Sequence, residues 1–156
     1  MARRDGLSLT DQEASMLFKT LSLAAAAAFS LAAPAMAEDV TVTLTGVQAR
    51  GGVILATLQT EAQFMQPAGT YGERITDPAS GAVRVTFRNV AAGDYALMVL
   101  HDEDGDGQMK MNGYMPAEGW AMVNGDTLRA TPTFDQVKFT VAASGADLSV
   151  PMSYPR

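Results

Sequence analysis

The sequence predicts an all-β protein: a two-sheet antiparallel β-sandwich of about seven strands, immunoglobulin-like or prealbumin-like, preceded by an N-terminal signal helix. Three observations predict it. Apolar and polar residues alternate in several short runs, the period of a strand with one buried face. Glycine-bearing turns separate those runs. After residue 37 no long amphipathic helical pattern occurs, so no helical layer is available to cover a parallel sheet.

The elements follow in order. "VTVTLTGV", Val40 to Val47, sets Val40, Val42 and Leu44 against threonines. A turn at Gly51-Gly52 leads into "VILATLQT", Val53 to Thr60, rich in β-branched residues. Periodicity is then lost from Glu61 to Ala82, where Phe64 and Met65 are expected to anchor a long loop and Tyr71 to Ile75 to form a short edge strand. "VRVTFRNV" again alternates, with Val83, Val85 and Phe87 on one face and Arg84, Thr86 and Arg88 on the other. After a turn at Gly93, "YALMVLH", Tyr95 to His101, is apolar at nearly every position and is expected to be central and covered on both faces. The stretch Gly113 to Pro132 shows no regular pattern. The last β-like runs are "VKFTVA", Val137 to Ala142, and "LSVPMSY", Leu148 to Tyr154, where Pro151 suits an edge or a bulge.

The first 37 residues read as an N-terminal segment and secretory signal peptide. Lys19 precedes an uncharged, alanine-rich stretch that ends in Ala35-Met36-Ala37, a small-x-small cleavage pattern. Met16 makes a more ordinary start than Met1, because the residues between them mix both charge signs. Cleavage after Ala37 leaves residues 38–156, 119 residues, as a single β-sandwich domain without stable membrane insertion. The expected location is periplasmic or secreted.

Composition excludes several functions. There is no cysteine, so disulfides, thiolate ligands and cysteine nucleophiles are absent. Eight basic and fourteen acidic residues follow Ala37, a net charge of −6 that disfavours nucleic acid. Serine-nucleophile, phosphate-loop and zinc-protease spacings do not occur.

The chemistry concentrates in "HDEDGDGQMKMNG", His101 to Gly113. Asp102, Asp104 and Asp106 hold positions 1, 3 and 5 of a calcium loop, Gly107 holds position 6, and the backbone carbonyl of Gln108 falls at position 7. Hard oxygen donors without thiols suit Ca²⁺. Lys110 stands at position 9 and Gly113 at position 12, where a bidentate Glu is the usual ligand, so Glu103 or Glu118 would have to complete the shell. The competing reading is a hydrated acidic turn. His101, the one histidine, reads as a structural residue on the Tyr95, Leu97 and Val99 face, with a recognition role as the alternative. Tyr114, Met115, Trp120 and Met122 read as a lid on the core, or Tyr114 and Trp120 as a recognition surface beside the loop.

The run "AAGDYALMVLHDEDGDGQMKMNGYMPAEGW" with "TPTFDQVKFTV" resembles the bacterial secreted proteins grouped as domain of unknown function 2141. The Gly-x-Tyr turn matches Gly93 and Tyr95, and the His-Asp-Glu-Asn-Gly-Asn-Gly signature falls on His101 to Gly107, with Asp104 and Asp106 in place of the asparagines. Pro116, Glu118, Gly119 and Trp120 match a Pro-x-Glu-Gly-aromatic run, and Pro132 with Phe134 a Pro-x-Phe element. Lys110 departs from the acidic residue usual in that family. The resemblance implies an exported β-sandwich and no established activity. The expected function is a non-enzymatic exported module with a Ca²⁺-braced loop and a surface for a protein or small-molecule partner. The alternatives are a purely structural envelope-associated domain, or a hydrolase of carbohydrate or peptide using Asp104 and Glu118.

Overall fold

The computed structural model describes residues 37–155. The signal helix and the segment before Ala37 lie outside the described residues. Strand β1 spans Ala37–Val47, β2 Val53–Gln59, β3 Tyr71–Thr76, β4 Gly81–Ala91 and β5 Gly93–Asp102. A two-residue hairpin follows, β6 (Met111–Asn112) with β7 (Met115–Pro116), then β8 (Gly119–Ala121). A four-residue α-helix, α1 (Phe134–Val137), precedes β9 (Lys138–Val141) and β10 (Ala146–Pro151). The described protein is mostly β and helix-poor, and it contains no helix long and apolar enough to cross a membrane.

Three strands form one sheet in the order β10-β1-β4, and β3-β2-β5-β8 form a second, with β9 also paired to β5. Alternation sets the inner faces. Val40, Val42 and Leu44 of β1, Val85 and Phe87 of β4, and Val150 of β10 are buried in one cluster with Ile54, Ala56 and Leu58 of β2 and Leu97 and Val99 of β5. A shift of one residue in any of these strands would turn its apolar set to solvent, so register is fixed by burial.

Pairing is antiparallel with one exception that corrects the expected all-antiparallel arrangement: β1 and β10 run parallel, from Val40 opposite Ala146 to Thr45 opposite Pro151. This geometry is open to β1 and β10 because about a hundred residues separate them and no short hairpin links them. Beyond Pro151 the chain leaves this sheet. Met152 N–H donates to the Thr45 carbonyl (2.8 Å), and Ser153 exchanges two backbone hydrogen bonds of 2.8 Å with Trp120 of β8. The C-terminal segment thereby ties the two sheets together along one side.

Other expectations are also corrected. β5 is covered on its second face only at its start, where Ala96 packs under Phe134 and Val137, while Met98 and Leu100 further along are half-buried. Val137 ends α1 instead of starting a strand. Phe64 does anchor its loop, stacking edge-to-face on Phe134 at 5.8 Å, but Met65 is exposed. Gln59, buried at the end of β2, holds that loop instead: its Nε2 donates to the Gln66 carbonyl (2.7 Å) and its Oε1 accepts from Met65 N–H (3.0 Å). Along the β5–β9 margin, Lys138 bridges Asp94 (3.2 Å) and Asp135 (3.0 Å). The Thr140 hydroxyl and the Lys138 ammonium hold the Asp94 carboxyl below its ordinary value.

Candidate functional site: an aspartate loop and its hairpin

The loop begins where β5 ends. Asp102 is buried, and its two oxygens accept different backbone amides: Oδ1 from Gly105 N–H (2.7 Å) and Oδ2 from Gly107 N–H (2.9 Å). Both glycines have positive φ, 81° and 74°, a region that side chains other than Asn and Asp rarely enter, so the curl depends on them. Asp104 Oδ1 accepts from Asp106 N–H (3.4 Å), and Asp106 Oδ1 from Gln108 N–H (2.8 Å). Asp104 and Asp106 thus each cap the amide two positions on, the local bond that favours Asp in turns, whereas Asp102 reaches three and five positions on.

The three aspartates each present one oxygen within 4.8 Å of the others. That falls within the span of oxygens around one ion with Ca–O bonds of about 2.3–2.6 Å. The Lys110 ammonium pairs with Asp104 and lies 3.9 Å from Asp106. Like charges gathered by the glycine curl are therefore offset from within the chain. Of Gln108, the amide N–H is engaged by Asp106.

Glu118 is not in the three-residue cluster. Buried in the segment between the hairpin and β8, it accepts Glu103 N–H at Oε1 (3.1 Å) and Lys110 N–H at Oε2 (3.2 Å), one from each end of the loop. Ala117 N–H donates to the Lys110 carbonyl (2.7 Å), closing the same neck. Charge-assisted bonds to backbone amides are among the stronger ones available, so Glu118 fixes the loop and the β6–β7 hairpin to each other. Its two oxygens thus each accept one backbone amide of the loop.

His101 is fully buried. Its Nε2–H donates to the Gly51 carbonyl (2.7 Å), which can only accept, so Nδ1 is the acceptor for the Tyr154 hydroxyl (2.8 Å). That hydroxyl in turn accepts Gln48 N–H (3.1 Å). Burial raises the Tyr154 hydroxyl pKa, opposed by the Gln48 amide and by Arg50, so it remains a donor. Arg50 lies over the Tyr154 ring at 4.8 Å and reaches Glu103 Oε1 at 3.1 Å, joining the turn before β2 to the first residues of the loop. Gly119 sits between His101 and Tyr154, and a Cβ there would lie 2.3 Å from the Tyr154 ring.

The expected surface of His101, Tyr114 and Trp120 is therefore not assembled. His101 is enclosed, and Trp120 is half-buried in β8, whereas Tyr114 is 99% exposed at the hairpin tip. Met115 (67%) and Met111 (54%) are exposed beside Tyr114, so neither Tyr114 nor Met115 forms a lid. Met122 alone of that group packs against the small Phe134 cluster. Two surface hollows lie elsewhere, one of about 370 Å³ around Leu128, Arg129 and Gln136, the other of about 530 Å³ around Leu55, Pro67 and Arg74. Neither includes a residue of the loop or hairpin.

Sequence reasoning missed the neck residues. The sequence reads Glu118 as a metal ligand or a hydrolase carboxylate, and it assigns Arg50 and Tyr154 no role at the site. The available signal was a buried-type pairing: a Glu beside a glycine that only a folded-back segment brings to the loop.

Fold and loop together define a small, helix-poor β-domain that carries an aspartate-rich loop and an apolar hairpin at one end of its longest-buried strand. The chain belongs to the domain of unknown function 2141 family, described as uncharacterized protein conserved in bacteria, whose profile matches residues 42–149. No curated protein and no solved structure matches the chain.

Proposed function

We propose that the chain is an exported, non-enzymatic β-sandwich module whose end loop binds Ca²⁺ weakly and presents the neighbouring hairpin to a partner. The observation that carries this reading is the convergence of Asp102, Asp104 and Asp106 within 4.8 Å. Their oxygens suit a hard cation, and Ca²⁺ tolerates irregular shells completed by carbonyls and water. Lys110 serves as the internal counter-cation that Ca²⁺ displaces. The export reading rests on the Lys19-to-Ala37 pattern, and the location is periplasmic or secreted. The sandwich reading rests on two sheets sharing one buried cluster.

Calorimetric titration of residues 38–156 with Ca²⁺ tests the metal. At ~10 mM Ca²⁺ and a dissociation constant of ~1 mM, linkage gives about 1.4 kcal/mol of stabilisation, a rise of about 5 °C in Tm for a domain of this size. Asp104→Ala is expected to abolish both heat and shift. No heat and no shift at this concentration leaves the purely structural reading, in which Lys110 alone neutralises the loop.

Lys110→Gln gives a sharper result. It removes a unit charge that competes with the ion, worth about 1 kcal/mol even in a water-like dielectric, so Ca²⁺ affinity is expected to rise about fivefold. An unchanged or weaker affinity would show that the ammonium does not compete with the ion.

A further inference from the structure

We infer that Asn112, at the tip of the β6–β7 hairpin, is a self-modification site: its side-chain amide is lost through a succinimide closed by the Gly113 backbone nitrogen. The reaction needs an Asn or Asp followed by a residue that leaves its own backbone nitrogen unobstructed, which glycine does best. Four such steps occur among the described residues: Asp104-Gly105, Asp106-Gly107, Asn112-Gly113 and Asn124-Gly125. The Asp or Asn of all four is exposed, so access to water does not separate them. Hydrogen bonding does.

At three of the steps the attacking nitrogen is engaged. Gly105 N–H donates to Asp102 Oδ1 (2.7 Å), Gly107 N–H to Asp102 Oδ2 (2.9 Å), and Gly125 N–H to the Met122 carbonyl (3.0 Å). The groups to be attacked are held as well. Asp104 Oδ1 accepts Asp106 N–H, Asp106 Oδ1 accepts Gln108 N–H, and Asn124 Nδ2 donates to the Gln136 carbonyl (3.1 Å). Gly125 is also crowded, since a Cβ there would stand 3.0 Å from the Trp120 ring.

Asn112 has none of this restraint. Among the described residues neither its side chain nor Gly113 N–H has a hydrogen-bond partner, and a Cβ on Gly113 would meet open space. β6 and β7 form a sheet of their own with two pairs, Met111–Pro116 and Asn112–Met115. So short a ribbon is marginal, and its tip opens at little cost to let the nitrogen reach the side-chain carbonyl carbon. Gly113 N then bonds to Asn112 Cγ, the Cγ–Nδ2 bond breaks, and ammonia leaves with the Gly113 amide proton. Water opens the ring at either carbonyl. One opening leaves an aspartyl side chain, the other an isoaspartyl link in which the backbone runs through Cβ and Cγ. Either adds a negative charge two residues before Tyr114, and the second lengthens β6 opposite Met115.

The test incubates the full chain, residues 1–156, in mildly alkaline buffer, once folded and once in urea. Digests are read by mass spectrometry, with isoaspartyl methyltransferase labelling to locate the rearranged bonds. In the folded chain Asn112 is expected to convert at least about tenfold faster than Asn124, whose conversion waits on local opening. In urea the two are expected to convert at similar rates. Gly113→Ala, whose methyl group shields the nitrogen, is expected to slow conversion at Asn112 in both states. Equal folded-state rates at the two asparagines overturn the inference, as does an Asn112 that converts in urea but not when folded. A preference of the same size in urea also overturns it, because the neighbouring sequence and not the fold would then choose the site. Unslowed conversion in Gly113→Ala removes the succinimide route.

Discussion

Gly119→Val is expected to destabilise the domain by about 3 kcal/mol. The Cβ of any replacement would stand 2.3 and 2.8 Å from two carbons of the Tyr154 ring and 3.0 Å from His101 Cβ. Backbone cannot yield there, because β8 is held on one side by His101 opposite Gly119 in β5 and on the other by the Trp120–Ser153 pair. Tyr154 must therefore move, and the buried Nδ1 of His101 loses its donor. Overpacking costs about 1–3 kcal/mol, and an unsatisfied buried acceptor a similar amount. Urea unfolding measures it. Tyr154→Phe, which removes the hydroxyl alone, is expected to cost about 1–2 kcal/mol. In a Tyr154→Ala background the Gly119→Val penalty should shrink, leaving the part owed to His101 Cβ, and an undiminished penalty would place the clash elsewhere.

Asp102→Ala is expected to cost about 3 kcal/mol and to remove any calcium-dependent stabilisation. One buried carboxylate holds the amides of Gly105 and Gly107, and truncation leaves both without an acceptor. Bonds to ionised groups contribute about 1.5–3 kcal/mol each, and the loop can recover part of that by opening to water. Hydrogen exchange reads the local part directly: the Gly105 and Gly107 amides should lose protection, while those of β2 paired with β5 keep theirs. Retained protection at the two glycines would mean that Asp102 does not hold the curl. Asp102→Asn keeps one acceptor oxygen and turns an NH₂ toward the other amide, so an intermediate loss is expected.

Much of the fold was legible because alternation reports burial directly. The runs beginning at Val40, Val53, Val83 and Tyr95 are strands, and Tyr71–Thr76 is the edge strand expected of it. β8 was not legible. Gly119, Trp120 and Ala121 have no periodic pattern, and their strand character comes from Val99 to His101 on one side and Ser153 on the other. The parallel partnership of β1 and β10 was hidden for a related reason: alternation fixes which face is inward but not which strand lies alongside. The α1 turn did leave a local mark, a Thr133 cap with Gln136 three residues on, that a capping-box search would have caught.

At the site, the aspartate spacing and the two glycines gave the curl, and Lys110 was legible as a positive charge beside it. The role of Glu118 was not, since it depends on a hairpin returning the chain to the loop neck. For the same reason Tyr114 and Trp120, six residues apart, read as companions although the hairpin separates them.

The parallel pairing of β1 with β10 also decides how the domain bears a load. Tension applied at Ala37 and Pro151 draws β1 and β10 past each other along their length, because their entry and exit points lie at opposite ends of the shared ladder. The pairs from Val40–Ala146 to Thr45–Pro151 then resist together in shear, where a hairpin of the same length would peel open one pair at a time.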